Sequence, residues 1–168
     1  MILYHGSNLI VDKPLLVPQT RALDFGKGFY TTENKVQAVS FAEKVYRRRK
    51  DGEPTVSVYE CDENAAFAAC SILRFDSPDE AWLDFVSDNR NHTYTGKQHD
   101  LIYGPVANDD IFLVFQLYAG GELTREETLN RLKIKKLYNQ LVFGSEKALS
   151  YLKFIGTLNA KEQQNGES

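Results

Sequence analysis

Three observations predict an α+β domain. Short apolar or alternating runs of strand type recur from one end of the chain to the other, and capped helical patterns stand between them. The length of 168 residues, 42% hydrophobic and 26% charged, suits one folded core and leaves little for a second. One domain over residues 1–158 with a flexible C-terminal tail at 159–168 is therefore expected, the tail because its last residues are charged, polar and glycine-containing.

The first run, Ile2-Leu3-Tyr4, is closed by His5-Gly6-Ser7 and predicts a short strand that carries its histidine to the strand end. Residues 11–23 contain Pro14 and Pro18 and predict a surface connection, in which Arg21 is the arginine available for a bidentate phosphate contact. Residues 24–41 are the stretch around which the chain is organised. Gly26 and Gly28 bracket Lys27, and residues without Cβ let a backbone approach a flat ligand closely. Phe29 and Tyr30 then open a strand, and Thr31 and Thr32 offer side-chain oxygens as caps for a helix over residues 33–49. Phe41 follows Tyr30 by eleven residues, so rings from neighbouring elements are expected to face one another across a slot one ring thick. The basic run Arg47, Arg48, Arg49 and Lys50 closes that helix where cations favour its dipole.

Asp51-Gly52-Glu53-Pro54 is turn chemistry, and the alternation over 55–60 predicts a strand. A short buried helical turn at 65–70 and an extended run at 72–75 follow. Ser77, Pro78 and Glu80 read as a capping box ahead of Ala81, Trp82, Phe85 and Val86, which makes Trp82 a core residue. Residues 89–100 read as a polar loop, Leu101-Ile102-Tyr103 as a strand stopped by Gly104-Pro105, and Asn108, Asp109 and Asp110 as the start of a helix. Thr124 and Glu127 form a second capping box, opening a helix toward Lys133. Residues 137–143 are a strand pattern in which Gln140 is polar among apolar neighbours. Ser145 caps a last helix through Leu152, and 154–158 add one more strand.

Charge and cysteine content narrow the functional classes. A net charge of −3 gives no general attraction to nucleic acid or anionic membranes, although local basic segments such as 131–136 keep a nucleic-acid partner open. Cys61 and Cys70 lack the number and spacing of a disulfide framework or zinc site, so no metal is expected. With no basic n-region followed by an apolar h-region at the N-terminus, and no apolar run of membrane-spanning length, a cytoplasmic protein is expected.

In chain order, ILYHGS, FGKGFYTT with an aromatic eleven residues beyond its tyrosine, and YNQLVF resemble the three motif strands of the ADP-ribosyltransferase superfamily. The likeness is closer to its diphtheria-toxin and poly(ADP-ribose)-polymerase branch, whose triad is His, Tyr and Glu. Together with DSPDEAWLDFV, DLIYGPVANDD and FGSEKALSYLKF, the chain is similar to a small bacterial group of such domains, long described as of unknown function. The resemblance implies an ADP-ribosyltransferase-like split β-sandwich: two small, mostly antiparallel sheets flanked by helices, with NAD as substrate between them. It implies that His5 bonds a ribose hydroxyl, that Gly6 clamps the nicotinamide carboxamide, that Ser7 contacts the adenosine side, and that Tyr30 and Phe41 sandwich the nicotinamide ring. Lys27, between the glycines, could meet a pyrophosphate.

Two departures bear on chemistry. Gln140 stands where the triad carboxylate is customary; its amide oxygen can accept a ribose hydroxyl but brings no negative charge to a cationic transition state. Ala38 stands where those enzymes usually carry a serine. Glu146, Asp109 and Asp110 are candidates for a substitute carboxylate, each also explained by helix capping. The reading that results is a mono-ADP-ribosyltransferase acting on a macromolecular acceptor, as a toxin of a toxin–antitoxin or phage-defence system with an antitoxin partner. The alternatives are a catalytically impaired NAD or ADP-ribose-binding module, and an NAD glycohydrolase.

Overall fold

The computed structural model describes residues 1–18, 23–107, 109–135 and 137–161. Among the described residues seven strands and six helices follow in the order β1 (Ile2–Ser7), β2 (Phe29–Thr32), α1 (Lys35–Arg49), β3 (Thr55–Cys61), α2 (Glu63–Ala69), β4 (Ile72–Arg74), α3 (Glu80–Arg90), β5 (Leu101–Pro105), α4 (Asp109–Ala119), α5 (Arg125–Lys133), β6 (Asn139–Phe143), α6 (Glu146–Leu149) and β7 (Leu152–Asn159). The mixed α and β content follows the sequence, but the expected pair of sheets does not. All seven strands join one sheet in the order β4-β5-β6-β2-β1-β3-β7, antiparallel except at β4–β5.

That sheet has a weak seam. β1 pairs with β3 through six consecutive residues and β2 pairs with β6 through four, whereas β1 and β2 meet only at Tyr4 opposite Thr32. A single bridging pair is what makes one sheet out of two nearly separate ones.

Side chains alternate between faces along each strand, so the register assigns every residue to a side. One face carries Tyr30, Thr32, Gln140 and Val142 with Tyr4 and Gly6 across the seam. Two helical groups cover it: α1, through Ala38, Val39 and Ala42 over Val56, and the α3–α5 group, whose Trp82, Leu83, Ile111 and Leu132 pack with Ile102 and Val142. The opposite face buries Leu3, Phe29, Tyr59, Leu101, Leu141 and Phe143 beside Ala66 of α2 and Ala148 of α6. Trp82 is fully buried, as expected, and its indole N–H donates to the Pro105 carbonyl.

Several caps differ from the sequence reading. Asn34, not Thr31 or Thr32, caps α1 by accepting from the Gln37 amide. β2 runs through Thr32, whose hydroxyl donates to the Asn139 carbonyl and receives the Asn34 N–H, so the cap moves to the second residue beyond the strand. Asp79, not Ser77, caps α3 by accepting from the Trp82 amide. Thr124 and Ser145 cap α5 and α6 as expected, although α6 is only one turn and the chain then turns into an eight-residue β7. β7 includes Asn159, and Ala160 beyond it is buried with its N–H on the Pro54 carbonyl, so ordered chain continues past residue 158.

Candidate functional site

The motif residues gather at the seam. The His5 ring reaches across from β1, and its Nδ1 lies 2.7 Å from the Tyr30 carbonyl oxygen on β2. A carbonyl only accepts, so Nδ1 carries the proton and Nε2 holds the lone pair whenever the ring is neutral. Desolvation lowers the His5 pKa below its ordinary value and the nearby Arg49 charge adds to this, against the raising effect of the Tyr30 bond. A neutral imidazole with Nε2 as acceptor is the form this site favours.

Backbone geometry explains why the ladder stops there. Continuing the Tyr4–Thr32 register would set Gly6 opposite Tyr30, yet no further pairing is made. Along a strand the polar groups of alternate residues point to the same edge. Because the Tyr30 carbonyl points toward β1, so do the groups of Thr32; Tyr4 answers them, and Gly6 directs its N–H and C=O to that same edge. The imidazole thus occupies Tyr30's carbonyl and leaves Gly6 facing an unclosed part of the sheet.

Gly6 is required for another reason. A Cβ there would come within 2.2 Å of the Ala38 carbonyl oxygen and 2.7 Å of the Ala42 nitrogen, so α1 lies directly on β1. Phe41 leaves α1 beside this contact, with 48% of its surface exposed. Ala38 is buried under the same turn. Tyr30, half-buried on the same face of the sheet, packs toward the α3–α5 group. Its hydroxyl donates to the Gly26 carbonyl at 2.5 Å and accepts the Phe25 N–H at 3.1 Å. Burial first, and the Asp24 charge second, hold its phenol above the usual tyrosine range, so it remains a donor. Tyr30 lies on β2 and Phe41 on α1, and among the described residues their rings make no stacking contact with each other.

Gln140 is 7% exposed and shares the face of Tyr30 and Thr32. Its side-chain nitrogen is buried with no hydrogen-bond partner among the described residues. Such an atom is costly unless something else satisfies it, which marks Gln140 as more than a filler of its strand. His5, by contrast, belongs to the other face by alternation, where its ring stacks on Phe29 at 4.3 Å between centroids. The register therefore sets Tyr30, Gln140 and Gly6 on one face, with α1 over Gly6, while His5 belongs to the other face and meets β2 at the Tyr30 carbonyl.

The remaining candidates separate. Gly28 serves packing: a Cβ there would come within 2.5 Å of Val142 Cγ1 and 3.0 Å of the Phe143 carbonyl oxygen, so its bare face meets β6 rather than an open approach for a ligand. Gly26 takes φ +76°, a left-handed turn that favours glycine. Lys27 is exposed. Ser7 is buried, its hydroxyl 3.4 Å from Asn8 Oδ1. Arg21, Asn108 and the Asp109 side chain lie outside the described residues. Asp110 and Glu146 are exposed at helix starts.

Sequence reasoning missed two groups. Arg49, read only as a dipole partner, donates to Asn8 Oδ1 at 2.9 Å and brings a positive charge near His5. Asp24 and Arg90 form an ion pair at 2.6 Å behind the Tyr30 turn. Sixty-six residues separate them, and no local pattern announces such a pair. Two surface concavities, of about 360 Å³ between α3 and α5 and about 310 Å³ between α4 and α5, contain none of the motif residues. Among the described residues no cluster of three or more His, Cys, Asp or Glu could hold a metal ion, and no helix is long and apolar enough to cross a membrane.

Residues 1–154 match a family model described as Protein of unknown function (DUF3990). No curated protein and no solved structure matches the chain.

Proposed function

The chain belongs to the DUF3990 family, and from its site we propose that it is an NAD-dependent mono-ADP-ribosyltransferase. The observation that supports this reading is the interrupted seam, where Gly6, buried beneath α1, turns its backbone N–H and C=O to an edge beside Tyr30 that β2 leaves unpaired among the described residues. A carboxamide needs one acceptor and one donor, which a single strand residue offers together. A ring held between two aromatic faces gains about 0.5–1.5 kcal/mol per pair beyond burial. Neutral His5, protonated at Nδ1, offers Nε2 to a ribose hydroxyl.

In the reaction the bond from the ribose C1′ to the nicotinamide nitrogen breaks and its electron pair leaves with nicotinamide. C1′ then bonds to a nucleophile of the acceptor. The acceptor's proton passes to water, because the Gln140 amide cannot take it. Holding the leaving group and ribose in one orientation is the main contribution this set of residues can make. The acceptor is a macromolecule, and the reading places the protein in the cytoplasm as a toxin restrained by an antitoxin partner, with Cys61 and Cys70 kept as thiols.

Incubation with labelled NAD and a cell lysate tests the proposal. Labelling of a macromolecule that His5→Ala abolishes is the expected result, and no labelling under any condition contradicts it. Gln140 and Ala38 favour a second reading, a binder of NAD or ADP-ribose without turnover, because neither side chain supplies charge or a hydroxyl. Calorimetric binding of NAD with no nicotinamide release over hours would select it. Nicotinamide release without any labelled macromolecule would instead indicate a glycohydrolase.

A further inference from the structure

We infer that the buried Asp24–Arg90 pair positions Tyr30 for the dinucleotide, so that α3 and α4, which supply no motif residue, govern the grip on the nicotinamide ring. The inference rests on the NAD-binding reading above.

Asp24 immediately precedes the two residues that hold the Tyr30 hydroxyl, Phe25 through its N–H and Gly26 through its carbonyl. Its carboxylate is only 13% exposed and is gripped from two sides. Arg90, the last residue of α3, directs Nε at 2.7 Å and Nη2 at 2.6 Å onto Oδ1. The Ala107 N–H, just beyond β5, donates to Oδ2 at 3.2 Å. The guanidinium in turn lies 5.1 Å from the Phe112 ring centre and 5.0 Å from that of Phe115, both on α4. Gly26 is seated against the same end of α3, since a Cβ there would come within 2.7 Å of Asn89 Oδ1.

Both sides of the 24–26 turn are thus seated against α3, and among the described residues this turn holds the Tyr30 hydroxyl. A phenol ring has two torsions, and pinning its oxygen sets the plane it presents to the seam. Asp24 and Arg90 touch no substrate in this account; they act through Tyr30. A guanidinium fork gives a fixed direction that a lysine ammonium cannot, so charge alone will not replace it.

Two variants test this with two measurements, a crystal structure and calorimetric NAD affinity. The paired replacement Asp24→Leu with Arg90→Met removes both charges together and leaves no unpaired charge, only the Ala107 N–H without its acceptor, which keeps the chain folded. Arg90→Lys keeps the charge and loses the fork. The expected result is a Tyr30 hydroxyl displaced from the Gly26 carbonyl in the paired variant, with NAD affinity down about tenfold there and about threefold in Arg90→Lys, as expected when a misplaced group loosens a bound geometry. A Tyr30 bond that persists in the paired variant, or wild-type NAD affinity in folded Arg90→Lys, overturns the inference. Should the wild-type chain bind no NAD at all, the functional reading fails, and the position of Tyr30 in the two crystal structures still decides whether the pair positions it.

Discussion

Gln140 presents a buried amide nitrogen without a partner among the described residues, a cost of about 1–3 kcal/mol in a folded chain. Gln140→Met, similar in length and apolar, is expected to raise stability by about 1 kcal/mol in urea unfolding while losing NAD labelling, since it removes the cost and the acceptor together. Lower stability would show that the amide is satisfied in solution. His5 gives a pH signature. Its folded pKa is depressed, so the unfolded chain binds more protons once pH falls below the ordinary value of 6.5. Stability is therefore full above that value and declines as pH drops through it toward the folded pKa, by at most about 1.4 kcal/mol per pH unit. Urea midpoints at pH 7.5 and 5.5 should differ in that direction, and His5→Gln should reduce the difference. His99, whose pKa is also lowered by desolvation, keeps part of it. An equal difference in both proteins would contradict the protonation state assigned to His5. The order of the motifs in the chain singles out His5, Tyr30 and Gln140, and the register sets Tyr30 and Gln140 on one face. Which ring nitrogen carries the proton was not legible in the sequence, because it depends on a carbonyl 25 residues away.

At the scale of elements, α1 and β1 are in backbone contact through Gly6, with no room for a methyl group. Gly6→Ala should destabilise the domain by about 3 kcal/mol, because the obstacles are helix backbone atoms that cannot rotate away. A loss under 1 kcal/mol would mean that α1 sits farther from the strand. The sequence exposed the helices well, since capping and three- or four-residue periodicity are local. It misplaced two caps where a neighbouring strand or proline competed: Thr32 was already committed to β2, and Ser77 gives its carbonyl to the Asp79 N–H while Asp79 takes over the cap. Gly28 was read for ligand approach because a missing Cβ looks the same in sequence whether it faces a ligand or Val142. Only the pairing of β2 with β6, more than a hundred residues apart, decides it.

For the whole molecule, the seam between β1 and β2 is the feature on which the functional reading depends. Strand content could be read from alternation, but the number of sheets could not, because one bridging pair between Tyr4 and Thr32 converts two sheets into one. Backbone amides with ladder partners exchange slowly and unpaired ones quickly. Native-state hydrogen exchange should therefore find the Gly6 amide poorly protected beside well-protected Leu141 and Val142, and binding of NAD should slow it. Strong protection of Gly6 in the free protein would mean that the sheet is closed there. The most direct measurement is a crystal structure of the protein soaked with NAD. The account predicts the nicotinamide ring between Tyr30 and Phe41, its carboxamide on the Gly6 backbone and a ribose hydroxyl on His5 Nε2; a dinucleotide bound elsewhere, or a seam closed to it, would contradict the account.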